Sequence, residues 1–224
     1  MKYGLAALCG GVMMMSQLAQ AGVVVGATRL VYDGDKKESS LSVNNPDSLP
    51  YLIQSWVEPQ EGSSEKAPFI LTPPLFRLDA GRQNVLRVVR VGGALPEDRE
   101  TLYWLNVKSI PSAERRDNTL QIAIKTRLKL IFRPTGLKGL PEDATGKLTW
   151  QHKGAQLEVK NPTPFYMNFQ SVTVNGREVK DATYVAPQST ASFTLPASAG
   201  NAITWRIIND FGGPGVLQRG TLQE

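Results

Sequence analysis

At 224 residues, with 25 lysines and arginines against 20 acidic side chains and a formal net charge of +5, the chain can build one large or two small cores and is only mildly basic. No lysine/arginine run is interleaved with aromatics, which argues against a nucleic-acid partner. A single histidine, His152, and a single cysteine, Cys9, leave Ser-His-Asp, Cys-His and His/Cys zinc chemistry almost nothing to use, and the scattered Asp79, Glu97, Asp98 and Glu100 show no spacing that argues for paired carboxylates.

Residues 1–21 read as a secretory signal peptide: a lone Lys2, an apolar run from Leu5 to Met15, and Ala19-Gln20-Ala21 as an A-x-A cleavage pattern. Gly10, Gly11, Ser16 and Gln17 interrupt the run too early for a bilayer span, and no later stretch approaches membrane length, so a soluble product starting near Gly22 is expected. Cys9 lies in this leader, so the mature chain is expected to have no disulfide although exported to a compartment that permits them.

From Val23 onward the pattern is strand after strand. Val23–Val25, Thr28–Tyr32, Ser40–Val43, Tyr51–Glu58, Phe69–Leu71, Asn84–Arg90 and Thr101–Val107 are apolar or alternating runs, bounded by Asp33-Gly34-Asp35, Asn44-Asn45-Pro46, Thr72-Pro73-Pro74, Gly92-Gly93 and Ile110-Pro111. Short strands at this spacing predict a β-sandwich of immunoglobulin size.

The longest run is Asn118–Pro134. Its even positions, Leu120, Ile122, Ile124, Thr126, Leu128, Leu130 and Phe132, form an apolar face, and its odd positions are mostly basic: Lys125, Arg127, Lys129 and Arg133. Read as one strand closed by Pro134, it is far longer than usual. A long aliphatic strand at a sheet edge invites pairing by another chain, so it is either central or meant to be paired.

Thr135–Thr145, rich in Gly and Pro, reads as a linker, dividing the chain into a first domain with linker at 22–143 and a second at 144–224. The second has a hairpin across His152-Lys153-Gly154, a strand over Phe165–Val174 ending at an Asn175-Gly176 turn, and strands at Ala191–Leu195 and Ile203–Ile208. The fold class is all-β, two sandwich domains, with no helical period of useful length.

Several segments in order resemble one family. They are Gly26-Ala27-Thr28-Arg29, Tyr51–Glu58, Thr72-Pro73-Pro74-Leu75-Phe76, Leu95–Glu100, Asn106–Pro111, Lys129 with Arg133-Pro134, Asn161–Tyr166 and Ile208–Gly212. Across essentially the whole mature chain the sequence is similar to periplasmic pilus chaperones of the PapD type, closest to those of type 1 fimbriae. The resemblance implies two immunoglobulin-like domains in a boomerang with a cleft between them. It implies that Arg29 and Lys129 anchor the C-terminal carboxylate of a pilus subunit. Leu120, Ile122 and Ile124 would be lent to the subunit's incomplete sandwich, with Val23 and Val25 extending the same surface. Three such side chains would contribute about 1.5–3 kcal/mol each on burial.

Glu100, Arg133 and Asp210 match charged contacts between the domains; if exposed, such pairs contribute about 0–1 kcal/mol. The short Ser112–Asp117 loop places the chain with the short-loop class serving rod-like pili. Expected partners are pilus subunits and an outer-membrane usher, with self-association of the free protein through the sticky strand, no cofactor, no metal and no membrane insertion. One difficulty is visible: a flat strand turns Leu120 and Lys129 to opposite faces. Twist, a bulge, or approach of the carboxylate along the strand edge would each reconcile them. The alternatives are a fimbrial subunit or adhesin, which usually lacks its own last strand, and a secreted hydrolase, disfavoured by the missing histidine and cysteine.

Overall fold

The computed structural model describes residues 22–63, 65–112, 120–197 and 200–223. The signal segment and most of the Ser112–Asp117 loop, with Asn118 and Thr119, lie outside the described residues. The first domain contains β1 (Val24–Val25), β2 (Arg29–Asp33), β3 (Glu38–Asn44), β4 (Tyr51–Glu58), β5 (Phe69–Thr72), β6 (Leu75–Leu78), β7 (Gln83–Arg90), β8 (Thr101–Pro111) and β9 (Ile124–Arg133). One sheet has the order β1-β3-β7-β5 and the other β2-β9-β8-β4-β6. Alternation dictates which side chains meet between them: Leu41, Val43, Ile53, Leu86, Val88 and Leu105 are each at most 2 % exposed. Tyr32 and Phe69 pack at one end with ring centroids 5.2 Å apart.

A short helix, α1 (Pro141–Ala144), sits inside the stretch read as a linker. The second domain follows with β10 (Thr149–Lys153), β11 (Gln156–Asn161), β12 (Met167–Val174), β13 (Arg177–Glu178), β14 (Tyr184–Val185), β15 (Ser189–Thr194), β16 (Ala202–Ile207) and β17 (Gln218–Thr221). Its sheets are β10-β11-β15 and β13-β12-β16-β17, with β14 also paired to β12. Trp150 lies between Phe169 and Trp205 at the centre, centroids 5.4 and 5.6 Å away. Buried Asn161 ties the proline-rich segment down, donating to the Phe165 and Ala186 carbonyls and accepting from the Thr163 amide. The chain is all-β, two sandwiches in tandem.

Three expectations need correction. The hairpin turn lies at Gly154-Ala155, since Lys153 pairs with Gln156, so His152 is an exposed residue within β10. Leu75–Leu78, to which the alternation assigned no strand, is β6 and extends the sheet at the edge of β4. The long strand is shorter than the alternation suggests. Its ladder with β8 ends at Ser109 opposite Ile124, and β8 itself closes at Pro111, which cannot donate. Leu120–Ala123 are therefore outside any strand.

The Asn175-Gly176 turn has positive φ at both residues, 51° and 79°, and closes the β12–β13 hairpin. Gly212, at φ +85°, serves a different purpose. A Cβ there would come within 2.4 Å of Thr28 Oγ1, so the loop after β16 can lie against the start of β2 only as glycine. Replacing Gly212 with Ala is expected to lower stability by about 1–3 kcal/mol through strain and clash. Adding Thr28→Ala should recover only the clash, as read from urea midpoints. A single variant as stable as the parent would contradict this close packing.

Candidate functional site

Strand β9 is buried on both faces near its end, because it is central in its sheet and covered by the second domain. Its even side chains Leu128, Leu130 and Phe132 enter the first core, whereas Ile131 packs with Leu102 and Tyr166 in a separate cluster between the domains. The β8–β9 register runs unbroken from Thr101–Phe132 to Ser109–Ile124, so there is no bulge. Lys129 and Ile124 therefore do point to opposite faces.

Strand β2 runs parallel to β9 in the register Arg29–Lys129 to Asp33–Arg133. This pairing sets Arg29 beside Lys129 and ends there. Upstream, among the described residues, Ile124–Leu128 pair with β8 alone and present an open edge. Ile124 at the start of that edge is 53 % exposed, and Leu120 and Ile122, which precede it, are 83 and 63 % exposed. Val23 and Val25 are half-buried against the first core, and the residue between them, Val24, is the exposed one.

Neither cation of the Arg29–Lys129 pair has a carboxylate within salt-bridge reach among the described residues. Arg29 is 9 % exposed; its Nη1 donates to the Ile208 carbonyl at 3.3 Å, and its Nε is buried without a partner. Lys129 donates to Asn168 Oδ1 and lies 4.3 Å from the centre of the Tyr184 ring. Desolvation, then the Arg29 charge, pulls the Lys129 ammonium down to about 8. Desolvation also lowers Arg29, partly offset by Asp210.

Four residues further along the same face, Arg133 is fully engaged. Its Nε donates to Glu100 Oε1 at 2.7 Å, and its two terminal nitrogens grip Asp210 at 2.7 and 2.9 Å. Glu100 Oε2 accepts the Tyr166 amide at 2.7 Å. Glu100 and Arg133 come from the first domain, Asp210 and Tyr166 from the second, so the cluster joins them. It is not a surface network: the side chains of Glu100, Arg133 and Asp210 are 1, 14 and 19 % exposed. The figure for exposed pairs therefore does not apply, and desolvation governs. It pushes the Glu100 carboxyl up to about 7 against the pull of Arg133. Arg133 loses hydration too, but Asp210 and Glu100 more than restore its charge.

Sequence reasoning passed over Asn168, Tyr184 and the Ile208 carbonyl. The one visible signal was a polar residue inside the apolar run Phe165-Tyr166-Met167-Asn168-Phe169, which is 3 % exposed in the fold. It also missed that Lys125 and Arg127 lie over the rings of Trp56 and Trp104, at 5.3 and 4.2 Å, beside Glu58. No three His, Cys, Asp or Glu side chains gather as metal ligands among the described residues.

Two sandwiches joined by a buried ion cluster leave an open strand edge that leads to two cations with no carboxylate in salt-bridge reach among the described residues, a surface open to pairing with an extended chain. Residues 22–138 match the family described as pili and flagellar-assembly chaperone, PapD N-terminal domain, and residues 143–218 match pili assembly chaperone PapD, C-terminal domain. The chain belongs to this family of pilus-assembly chaperones. It is 44 % identical over 218 residues to the probable fimbrial chaperone LpfB of Escherichia coli O157:H7, covering 95 % of this chain and 94 % of that one. Against the chaperone protein FimC of E. coli K12 the identity is 42 % over 205 residues, covering 89 and 84 %. Among solved structures, the Salmonella enterica SafB chaperone in complex with the SafA pilin superposes with a TM-score of 0.85 at 43 % identity, covering 92 % of this chain and 98 % of that one.

The raised Glu100 gives a pH prediction. The folded state retains a proton that the unfolded chain releases above about 4.5, so this contribution is complete below that pH and is lost as pH rises through about 7. Relative to Glu100→Gln, the wild type should lose about 1–3 kcal/mol between pH 5 and pH 8 in urea titrations. A gap moving towards the wild type as pH rises would mean that the Arg133 attraction outweighs desolvation.

Proposed function

We propose that this chaperone captures the C-terminal strand of a pilus subunit along the open edge of β9 and holds its carboxylate between Arg29 and Lys129. The observation that carries the reading is positional. A strand lying parallel to β9 on the edge upstream of β2 ends, at its C-terminus, where β2 begins. Its terminal carboxylate then meets two cations that have no carboxylate within salt-bridge reach among the described residues, and the buried Arg29 Nε is a donor in waiting. The carboxylate approaches along the strand edge, so the opposite faces of Leu120 and Lys129 are no obstacle. Ile124 at the start of β9, with Leu120 and Ile122 just before it, supplies exposed aliphatic side chains to complete a subunit sandwich that lacks a strand. The relative solved with a pilin bound supports the class of partner.

Release follows from the geometry of pairing. A parallel ladder is slightly less stable per residue than an antiparallel one, so a segment from the next subunit can replace β9 in antiparallel register without nucleotide hydrolysis. The protein acts in the periplasm after loss of residues 1–21 and passes its cargo to an outer-membrane usher. Without cargo the same exposed edge favours self-association.

Co-expression with a candidate subunit and purification from the periplasm tests the reading. The wild type should yield a one-to-one complex. Lys129→Ala should lose it while far-UV spectra and melting stay near normal. Ile122→Asp should block both subunit capture and self-association, since a charge would have to enter an apolar groove. Normal complex with either variant would refute the assignment of that residue.

A further inference from the structure

The capture site is built by both domains, and the part from the second domain is chemically neutral. Asn168 and Tyr184 are cross-strand partners of the β12–β14 ladder, and Lys129 reaches from β9 onto this pair. The backbone of Asn168 is tied in as well, its carbonyl accepting the Ile208 amide at 2.7 Å, while the Ile208 carbonyl accepts from Arg29. The neighbouring strands β12 and β14 and the residue that follows β16 thus hold both cations.

We propose that Asn168 is a positioning residue for Lys129, forming with Tyr184 a socket that aims the ammonium at an anionic chain end without neutralising it. This rests on the carboxylate capture described above. An asparagine 3 % exposed in an apolar strand is costly unless its amide is partnered, and its side-chain oxygen accepts from Lys129. A carboxylate at 168 would solvate the lysine better but would occupy the place of the ligand. A neutral acceptor and an aromatic face hold the ammonium and leave its charge uncompensated. Of the three ammonium protons, one goes to Asn168 and one faces the Tyr184 ring, which leaves one for a bound oxygen. The charged or titratable groups facing Lys129 are Arg29 of β2 and Tyr184 of β14; β12 contributes Asn168 and β8 contributes Trp104, its neighbour in register.

Fluorescence polarisation with a labelled synthetic peptide of alternating aliphatic residues, made as the free acid and as the C-terminal amide, separates the possibilities. The wild type should prefer the acid, with the preference fading as pH rises past about 8. Asn168→Leu keeps the branched shape and removes the acceptor. It should weaken binding of the acid about ten-fold, leave the amide unchanged, and move the alkaline limb to lower pH. Asn168→Asp should abolish the preference at neutral pH and move the Lys129 titration upward. A merely structural residue would weaken acid and amide alike with the limb unmoved, and that result, or wild-type binding by Asn168→Leu, overturns the proposal. Should Asn168→Leu fail to fold, Asn168→Asp decides alone: an intact acid preference overturns it. A wild type without any acid preference overturns the carboxylate anchor itself, and the socket falls with it.

Discussion

The parallel alignment of β2 with the last five residues of β9 puts two like charges, Arg29 and Lys129, side by side in a partly desolvated place. Unit charges that close repel, and the low dielectric of a domain junction amplifies the repulsion. The same alignment carries Arg133 on the same face, where two carboxylates meet it. One strand thus presents a cation starved of counter-ions and, four residues on, a cation saturated with them. The difference lies in what the second domain brings to each: Asp210 to Arg133, but an amide oxygen and a ring to Lys129.

The saturated end sets how the domains meet. Burying Glu100 costs hydration that the attraction of Arg133 only partly returns, so the cluster is a poor source of net stability. What it has is geometry: a bidentate grip on Asp210 and a fixed acceptor for the Tyr166 amide tolerate one arrangement of the two sandwiches. Thr28 packed on Gly212 and the apolar contact of Leu102, Ile131 and Tyr166 require the same arrangement. Since Asn168 and Ile208 reach the starved cations from the second domain, the precision of the proposed capture site would depend on the cluster further along.

Much of this was legible in the sequence because period-two alternation is a direct consequence of the pleat. Tyr51–Glu58 is a strand over the residues its pattern marks, and the Asn175-Gly176 turn falls where the dipeptide places it. The two sandwiches and the positions of Arg29 and Lys129 could be written down in advance. Strand register could not: nothing in Thr28–Tyr32 says that Arg29 will stand opposite Lys129, because register is decided by cross-strand packing that no local window contains. For the same reason Leu120–Ala123 continue the alternation of β9 but lie before its first residue, and the burial of Glu100 emerges only when both domains close over it. Asn168 was hidden in plain view, since a lone polar residue in an apolar run reads as noise until its partner, distant in sequence, is known.

The point at which β2 joins β9 also acts as a barrier. From Lys129 onward the edge is already occupied, so an extended segment laid parallel along Ile124–Leu128 cannot run on in either sheet or solvent without leaving the ladder. A loop or an internal strand of a guest would have to turn away just where the cations sit; a chain that stops there has nothing to turn. At about 3.3 Å per residue, the open stretch Ile124–Leu128 spans roughly 16 Å. On the proposed reading the fold would therefore measure, admitting a guest by the distance between its last strand's start and its final residue. A polypeptide truncated short of its end would leave the cations unfilled, so the same fixed stop that sorts ends from middles would sort finished chains from broken ones.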